Sequence, residues 1–556
     1  MTNKEISRAL KLIASLGELH DENPFKLKSF TNAAFNVDRA GDALEGKTLE
    51  ELIQIPGIGK SIAQVILDII HTGTTTDLAH YASITPAGVI EMLGIKGIGP
   101  KKVATIWKEL GIESPGELLY ACHENRLVEL KGFGAKTQES IKIALEYRLA
   151  NQGKYHYAEA ETVANELIRL IHEQDDSLQI AFTGELRRFM EVIENIEVLF
   201  VSNVHELELI LQQIPSLQIE SVLEDSIVVK FAEKYSMYLI CCEEDQYERE
   251  QLLRTGPPEH LEELDLDPEE PVESETSFYE ERGFPFILPE LRDLPVDNAA
   301  SIDIEKLVVW KDIRGILHNH STYSDGANTL EEMAIACRDL GMEYLGICDH
   351  SKSAFYAGGL SIEKVIQQHK EIDQLNLKLG PFKIFKGIES DILSDGSLDY
   401  PNEILASFDL VVASVHSILN MDVDRATSRL ITAIENPYTT ILGHPTGRLL
   451  LSRKGYPIDH KKVIDACAAN GVIMELNAHP YRLDIDWRWI PYCIEKGVQI
   501  SINPDAHRKE GYTDMQYGIN VARKAGLTHD SLFNSKSLPE MQSFLSSKVN
   551  TQHRNS

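Results

Sequence analysis

Side chains that can hold a metal ion recur at the ends of short apolar runs in the second half of the sequence. These runs include ILHNH, YLGICDH, LVVASVH and VQISINPDAH. The residues in question are His318, His320, Asp349, His350, Glu389, His416, His444, Asp505 and His507. Imidazole and carboxylate together suit Mn²⁺, Zn²⁺ or Fe²⁺, and the absence of cysteine from the set argues against a structural zinc cluster. A single histidine of this kind is usually an ordinary surface or core residue, but the whole set predicts a site for roughly two or three divalent ions.

The ligand-bearing runs need a scaffold that brings distant strand ends together. Between residues 308 and 545, short apolar strands alternate with helical segments about seven times, which is the pattern of a (β/α) barrel. Barrel enzymes place their active sites at the carboxyl ends of the strands, so residues 308–556 are predicted to form a barrel domain with the metal site at its mouth. Near this site, Lys352, Arg448 and Arg482 are predicted to bind a substrate phosphate or, alternatively, to form surface ion pairs.

Three similar turns interrupt the helical periodicity of residues 1–150. They read IPGIGKSIAQVI, IKGIGPKKVATI and LKGFGAKTQESI. Glycines permit positive φ and close backbone approach, so the amides that open the next helix can face a DNA phosphate. One such turn is weak evidence, whereas three in one apolar frame predict DNA binding without sequence preference. The predicted contacts are Gly57, Gly59, Lys60, Gly97, Gly99, Lys101, Lys102, Gly132, Gly134 and Lys136.

Residues 151–245 alternate helix and strand in the manner of a small α/β domain. AETVANELIRLIHEQ is amphipathic, and LQIAFTG, IEVLFVSN, SIVVKFA and MYLICC have the character of strands. The size fits the palm of a nucleotidyltransferase. Such a palm holds Mg²⁺ on acidic side chains that alternate along a strand and therefore share one face.

Composition and charge restrict the classes of protein that the chain can belong to. Hydrophobic residues make up 43% of the 556 residues, which is globular, and the formal net charge of -32 excludes coating of nucleic acid by bulk attraction. Residues 243–281 are densely acidic, so the segment 246–307 is predicted to be a solvated linker or a remnant of the palm and thumb. Seven scattered cysteines favour reduced thiols, and no apolar run approaches the roughly 18 residues of a membrane span. We therefore expect a cytoplasmic protein.

The three turns resemble helix-hairpin-helix motifs, and ENPFKLKSFTNAAFNV resembles the opening of the N-terminal domain of family X DNA polymerases. LHNHSTYSDG resembles the first motif of the polymerase and histidinol phosphatase (PHP) superfamily. The second resemblance implies a trinuclear site in a distorted seven-stranded barrel that hydrolyses phosphoesters, with Mn²⁺ expected first and Zn²⁺ or Fe²⁺ as alternatives. The catalytic metal ligands that it implies are His318, His320, Asp325, His350, Glu389, His416, His444, Asp505 and His507.

The family X resemblance also implies a palm whose metal-binding positions have changed. Gly184, Arg187, Arg188 and Glu191 match the family pattern, with Glu185 in place of its serine. The three positions of the metal-binding aspartates are occupied by Asn195, Glu197 and Tyr238. Asparagine offers no charge and glutamate is longer than aspartate, so polymerase activity is expected to be lost. The domain is expected to persist as a packed scaffold, with both arginines at DNA phosphates or in solvent.

The order of helical domain, palm, linker and PHP barrel resembles that of bacterial family X DNA polymerases over nearly the whole chain. The resemblance implies a DNA-repair phosphoesterase, a 3′-5′ exonuclease or 3′-end-processing enzyme that binds DNA by its backbone. Three alternatives stay open: a small-molecule phosphatase of the histidinol-phosphate kind, a non-catalytic DNA-binding adaptor, and an active polymerase. The sequence indicates no particular protein partner.

Overall fold

The computed structural model describes residues 1–40, 42–95 and 97–555, which divide into two compact units, Met1–Gln152 and Gly153–Ser556. The first unit is helical. Its helices are α1 (Asn3–Leu19), α2 (Pro24–Asp38), α3 (Leu49–Ile53), α4 (Lys60–Thr72), α5 (Thr76–Ile84), α6 (Ala87–Met92), α7 (Pro100–Leu110), α8 (Pro115–His123) and α9 (Ala135–Ala150).

Helix α1 shows how the sequence builds this first unit. Thr2 caps the helix by accepting from the amide of Glu5, whose side chain accepts in return from the amide of Thr2. Ile6, Leu10 and Ile13 follow the helical period and are completely buried in the core of the unit. The amphipathic periodicity of the sequence therefore places one face of α1 against its neighbours.

The second unit begins with a five-stranded sheet flanked by helices. This part of the unit comprises β1 (Tyr155–His156), α10 (Tyr157–His172), β2 (Ile180–Phe182), α11 (Gly184–Arg187), β3 (Val192–Ile193), β4 (Ile196–Val201), α12 (Val204–Leu211), β5 (Leu217–Val222), β6 (Ser226–Phe231) and β7 (Tyr235–Cys242). Strands β1 and β3 form a separate antiparallel pair. The strand order is β2-β4-β7-β6-β5, in which only β4 and β7 are parallel. The four strands predicted from the sequence are β2, β4, β6 and β7.

The acidic segment after this sheet is folded, so the prediction of a solvated linker is wrong. It contains α13 (Tyr247–Thr255), α14 (Pro258–Glu263), α15 (Glu275–Glu281) and α16 (Val296–Ala300). Leu252, Phe278, Tyr279 and Leu291 form the centre of a small core of its own. Sequence reasoning failed here because the arginine partners of several of these acids lie far away in the chain.

The remainder of the second unit is the predicted barrel, which is confirmed. Seven parallel strands follow the order β14-β13-β12-β11-β10-β9-β8. They are β8 (Gly315–Ile316), β9 (Tyr344–Ile347), β10 (Lys383–Asp391), β11 (Leu410–Ser414), β12 (Ile441–Leu442), β13 (Ile473–Asn477) and β14 (Ile500–Asn503). A bridge between Asn319 and Ala506, beyond the ends of β8 and β14, nearly closes the barrel.

Helices cover the outside of the barrel and connect its strands. They are α17 (Leu330–Asp339), α18 (Ile362–Leu379), α19 (Asn402–Leu405), α20 (Val423–Ile434), α21 (His460–Asn470), α22 (Ile490–Glu495), α23 (Met515–Lys524) and α24 (Leu538–Asn555). Apolar side chains of strands and helices, such as Ile384, Val411, Met474 and Ile519, make a continuous core. Within the described part of the chain, no helix combines the length and the apolar character that crossing a bilayer requires.

Candidate active site

Glu389 lies at the centre of a ring of imidazoles at the mouth of the barrel. Its Oε1 is 3.0 Å from Nε2 of His444, 3.1 Å from Nε2 of His416 and 3.3 Å from Nε2 of His318. Its Oε2 is 2.9 Å from Nδ1 of His350. The carboxylate is almost completely buried. Residues from four different strand ends thus meet at one side chain, as the barrel topology predicts.

Two further carboxylates extend the cluster. Oδ1 of Asp505 is 2.9 Å from Nε2 of His320. Oδ1 of Asp325 lies 3.4 Å from Nε2 of His507 and 3.6 Å from Nε2 of His350. The structure thereby brings together all the metal ligands implied by the PHP resemblance. Three overlapping groups have ligand atoms within 4.8 Å of one another: His320, Asp325, His350 and His507; His318, His320 and Asp505; His350, Glu389 and His416.

Several atoms of the cluster are buried without a well-aligned hydrogen bond, including Nδ1 of His350 and Oε2 of Glu389, which lie 2.9 Å apart. They are Nε2 of His318, Nδ1 of His320, Nδ1 of His350, Nδ1 of His444 and Oε2 of Glu389. One such atom costs about 1–3 kcal/mol, and native proteins keep few of them. Their concentration in one cluster of imidazoles and carboxylates fits divalent cations, which take nitrogen and oxygen ligands of this kind.

The carboxylates of the cluster favour positive charge on two of its imidazoles, whereas burial and the neighbouring His507 and His350 lower the pKa of His320 to about 3. Burial alone would lower the pKa of His416, but the carboxylates of Glu389 and Asp391 raise it to about 10. Burial likewise opposes protonation of His507, whose pKa is nevertheless raised to about 9 by Asp325 and Asp505. An environment that holds imidazoles in the protonated form also stabilises bound cations.

Glu475 fixes two of the ligands and was missed by sequence reasoning. It lies fully buried on β13, with Oε1 2.7 Å from Nδ1 of His318. Oε2 accepts from the backbone amide of His444 at 2.7 Å, and Asn503 donates to Oε1 at 3.0 Å. The contact leaves Nε2 of His318 for a metal, since the other ring nitrogen is engaged. The signal in the sequence was a charged residue inside the apolar run VIMELN.

Asp391, at the end of β10, fixes the orientation of His416 in the way that Glu475 fixes that of His318. Its Oδ1 is 2.6 Å from Nδ1 of His416, and its Oδ2 accepts from Oγ of Ser353 at 2.5 Å. Asp391 stands two residues after Glu389, so both side chains leave the strand on the same face. That spacing was available in the sequence as IESDI.

The sequence places Asp349 among the residues that could bind a metal ion, but Asp349 belongs to none of the three ligand groups. Its carboxylate instead accepts hydrogen bonds from neighbouring protein groups. It accepts from the amide and hydroxyl of Ser321 at 2.8 Å and 2.6 Å, and from the amide of Ser324 at 3.1 Å. Gln368 donates to it at 2.6 Å. Asp349 therefore fixes the loop between His320 and Asp325.

The three predicted phosphate-binding cations have different surroundings. Nε of Arg482 is 3.8 Å from Oδ2 of Asp505, which places Arg482 beside the cluster. Arg448 instead donates to Oδ2 of Asp486 at 2.7 Å and to the backbone carbonyls of Arg482 and Leu483. Lys352 is exposed, with Nζ 5.6 Å from the centre of the Tyr400 ring. Arg448 thus positions the loop that carries Arg482, and only Arg482 of the three contacts a ligand residue.

The palm offers a much poorer metal site. Asn195 is exposed at the start of β4, and Glu197 pairs with Tyr238 across β4 and β7. Burial raises the pKa of Glu197, which favours the uncharged carboxyl. Among residues 1–40, 42–95 and 97–555, clusters of three or more potential metal ligands occur only in the barrel. Of the three positions that correspond to aspartates, one carries a carboxylate.

Arg187 and Arg188 are held in ion pairs, so the expectation that they face solvent or DNA is wrong. Arg187 donates to both carboxylate oxygens of Glu275, at 2.9 Å and 2.6 Å. Arg188 contacts Oδ2 of Asp293 at 3.1 Å and donates to the carbonyl of Thr255 at 2.7 Å. These acids belong to the segment that the sequence predicted to be solvated. The two arginines therefore hold that segment against the sheet.

Glu191 connects the palm to the barrel. Its Oε1 accepts from Nη1 of Arg488 at 2.8 Å, and its Oε2 accepts from Nε1 of Trp487 at 3.1 Å. Nearby, the fully buried Lys524 forms an ion pair with Asp293 and donates to the carbonyl of Arg188 at 3.2 Å. Residues of the palm motif thus have structural partners in the barrel.

The three glycine turns of the first unit share one geometry. Gly57, Gly97 and Gly132 have φ values of 77°, 91° and 89°. Residues other than glycine rarely adopt this backbone conformation. The second glycine of each turn, Gly59, Gly99 or Gly134, is the N-cap of the helix that follows. No atom lies within 4 Å of a Cβ built on any of these N-cap glycines. A phosphate can therefore approach the amides that open these helices, which in α7 begin at Lys101 because Pro100 has no amide hydrogen.

The lysines predicted to accompany the turns differ in exposure. Lys60, Lys101 and Lys136 are exposed, and Nζ of Lys101 lies 3.9 Å from Oε1 of Glu18. Lys102 is half-buried, with Nζ 5.5 Å from the centre of the Phe133 ring. Three exposed cations therefore lie at the starts of three helices.

Comparison with protein families agrees with this architecture. Residues 1–75 match the family model of a helix-hairpin-helix domain, and residues 89–146 match that of a SAM-like helix-hairpin-helix tandem. Residues 317–479 match the PHP domain. The barrel and its cluster therefore define a PHP protein that also carries helix-hairpin-helix domains.

One relative matches the whole length. The chain is 33% identical over 569 aligned positions to "DNA polymerase/3'-5' exonuclease PolX" of Bacillus subtilis (strain 168), covering 98% of this chain and 99% of that protein. The chain belongs to the bacterial family X DNA polymerases that carry a C-terminal PHP domain.

Shorter relatives match part of the chain. A probable phosphatase of Thermoanaerobacter sp. (strain X514) is 28% identical over 235 residues, which is 39% of this chain and 89% of that protein. A probable phosphatase of Caldanaerobacter subterraneus subsp. tengcongensis is 31% identical over 207 residues, which is 34% of this chain and 74% of that protein.

Proposed function

We propose that this protein is a metal-dependent phosphoesterase of DNA repair, a 3′-5′ exonuclease or 3′-end-processing enzyme, whose polymerase activity is lost. The observation that carries the proposal is the contrast between two sites in one chain. Glu389 is surrounded by imidazoles at the barrel mouth, whereas Asn195, Glu197 and Tyr238 supply the palm with one carboxylate. The Bacillus subtilis relative is named for both activities, so the choice between them rests on these residues.

The predicted ligands would hold two or three divalent ions, with Mn²⁺ proposed first and Zn²⁺ or Fe²⁺ as alternatives. When bound, such ions polarise a phosphoester and activate a water molecule for in-line attack. Glu475 and Asp391 fix the orientation of His318 and His416, so the metal-facing nitrogens are preorganised. Arg482, beside Asp505, is placed to bind a phosphate oxygen of the substrate.

The helix-hairpin-helix turns would hold DNA by its backbone. Amides at the starts of α4 and α9, the amide of Lys101 in α7, and the side chains of Lys60, Lys101 and Lys136 provide contacts that do not depend on base sequence. Binding of this kind suits a repair enzyme that acts wherever a damaged end occurs. We infer a cytoplasmic location, which the seven free and buried cysteines support.

Digestion of 3′-labelled primer-template DNA in the presence of Mn²⁺ tests the proposal. Wild-type protein should release labelled nucleotides, and the His318→Ala, His320→Ala double variant should not. His205→Ala with His529→Ala is a matched control, because both histidines are exposed and lie outside the cluster. Equal digestion by wild-type protein and the His318→Ala, His320→Ala variant would exclude the barrel site from the reaction.

A small-molecule phosphatase is the second candidate, favoured by the probable phosphatases among the relatives. Histidinol phosphate, a sugar phosphate and labelled DNA should be compared at equal enzyme concentration. Faster hydrolysis of the phosphomonoesters, with no cleavage of DNA, would replace the nuclease assignment by this one.

A further inference from the structure

Two adjacent aromatic side chains project into solvent from the loop after His350. Phe355 is 88% exposed and Tyr356 is 66% exposed. They form one short 3-10 turn, Phe355–Ala357. The centre of the Tyr356 ring lies 6.2 Å from the centre of the His350 ring. Large aromatic residues are usually well buried, so an exposed pair beside a ligand histidine calls for a binding partner.

The loop is attached to the metal cluster through several hydrogen bonds. The amide of Ser351 donates to the carbonyl of Glu389 at 3.0 Å, and the amide of Leu360 donates to the carbonyl of His350 at 2.9 Å. Between these points, the hydroxyl of Ser353 donates to Asp391, which holds His416. These hydrogen bonds fix the backbone on both sides of the aromatic pair relative to the cluster.

We propose that Phe355 and Tyr356 form a stacking platform for the unpaired terminal nucleobase of a DNA strand whose phosphodiester enters the metal cluster. This inference rests on the proposed nuclease function and specifies its substrate. A nucleobase is a flat apolar group attached through its sugar to a phosphate. An aromatic surface beside a phosphoester centre therefore matches both parts of one nucleotide.

The platform implies a requirement for an unpaired end. In a duplex, a base is stacked on its neighbours and paired at its edge, so stacking on protein rings requires that the base first separate from both. Separation costs least for a single strand or a mismatched end. An unpaired end can therefore place its base on Phe355 and Tyr356 without first breaking base pairs.

The test compares two single-stranded oligonucleotides labelled at the 5′ end. One ends in an ordinary nucleotide, and the other ends in a tetrahydrofuran residue that lacks a base. The Phe355→Ala, Tyr356→Ala double variant should lose about 5- to 150-fold in kcat/KM on the ordinary end, since stacking on an aromatic side chain contributes about 1–3 kcal/mol per base and about 1.4 kcal/mol corresponds to tenfold. On the baseless end it should match the wild type. Tyr356→Phe keeps the ring and should retain wild-type rates on both.

Leu377→Ala is a matched control, because Leu377 is also an exposed apolar residue of the barrel, 90% accessible on α18. If the Phe355→Ala, Tyr356→Ala variant loses the same factor in kcat/KM on both oligonucleotides, or loses nothing on either, the proposal of a stacking platform is wrong. If wild-type protein cleaves neither oligonucleotide, the proposed nuclease function fails instead.

A binding measurement separates these two failures. The His318→Ala, His320→Ala protein should quench the fluorescence of an oligonucleotide that ends in 2-aminopurine, because stacking quenches this base. Additional removal of both rings by Phe355→Ala and Tyr356→Ala should abolish the quenching. Unchanged quenching would overturn the platform whether or not the protein cleaves DNA.

Discussion

Nδ1 of His318 lies 2.7 Å from Oε1 of Glu475, and both side chains are completely buried. Because Glu475 also accepts from the amide of His444, one carboxylate positions two ligands of the cluster. A histidine held in this way presents a fixed nitrogen to a metal and is a stronger ligand than a free imidazole.

Glu475→Gln should therefore weaken metal binding by about 10–100-fold while leaving the ligands themselves in place. The measurement is the Mn²⁺ concentration that gives half-maximal DNA cleavage, together with the metal content of purified protein. Restoration of cleavage at high Mn²⁺ is expected. Glu495→Gln, an exposed glutamate at the end of α22, is the control. An unchanged Mn²⁺ requirement would remove Glu475 from the support of the site.

Primer extension should show no incorporation of dNTPs with either Mg²⁺ or Mn²⁺. The palm supplies Glu197 where two or more acidic ligands are needed, and burial raises the pKa of this residue. The assay should use the His318→Ala, His320→Ala background, so that nuclease activity does not remove products. Incorporation that is abolished by Glu197→Gln would show that the palm is an active polymerase.

DNA affinity should fall steeply with salt and should be independent of sequence. Each of Lys60→Glu, Lys101→Glu and Lys136→Glu is expected to lower affinity and to reduce the slope of log K against log salt by roughly 0.9 per lost phosphate contact. Fluorescence anisotropy with two unrelated duplexes gives both quantities. Lys4→Glu, at an exposed lysine in the first turn of α1, is the matched charge reversal. A slope that no hairpin variant changes would contradict the predicted contacts.

Glu275→Ala should destabilise the second unit by about 3–5 kcal/mol, because it leaves the buried guanidinium of Arg292 without its carboxylate partner. Burial alone would raise the pKa of Glu275, but Arg187 and Arg292 hold it below its usual value. The stabilisation is therefore present above about pH 4.5 and is lost as the pH falls below it. Urea unfolding at pH 7 and pH 4 measures both effects. Glu273→Ala, at an exposed neighbour, should change stability by less than about 0.5 kcal/mol.

Arg482→Ala should impair substrate binding alone, whereas Arg448→Ala should also lower the stability of the protein. Arg482 lies beside Asp505, so its removal should raise KM for DNA and leave the urea midpoint unchanged. Arg448 donates to Asp486 and to two backbone carbonyls, so its removal should lower both stability and activity. Steady-state kinetics and urea unfolding of the two variants distinguish these outcomes. Identical behaviour of the two would mean that both arginines serve the loop.

The sequence predicted which side chains meet at the barrel mouth because a parallel barrel makes neighbours of strand ends that are far apart in the chain. Glu389 and His444 are 55 residues apart, yet their atoms lie 3.0 Å apart. The residues that position the ligands were not predicted. Asp391 shares a strand face with Glu389, and that spacing was overlooked. Glu475 and His318 are 157 residues apart, and no local pattern links a buried carboxylate to a particular histidine.

The acidic segment was the main error for a related reason. Charge density indicates solvation only when no partner is available, and a sequence does not show partners that lie far away. Arg187 and Glu275 are 88 residues apart, and Arg188 and Asp293 are 105 residues apart. Because these distant acidic partners are not visible in the sequence, Arg187 and Arg188 were expected to lie in solvent or at DNA.

The hydrogen bonds of Glu191 to Trp487 and Arg488 give the palm a structural role that does not depend on polymerase activity. A truncated protein that starts at residue 308 would retain Trp487, Arg488 and the buried Lys524 but lose Glu191 and Asp293. The palm and the barrel should accordingly melt in a single calorimetric transition. Asn195 and Tyr238 are exposed and can be replaced at little cost in stability, whereas replacement of Arg188 or Glu191 would remove contacts that join the sheet to the rest of the unit.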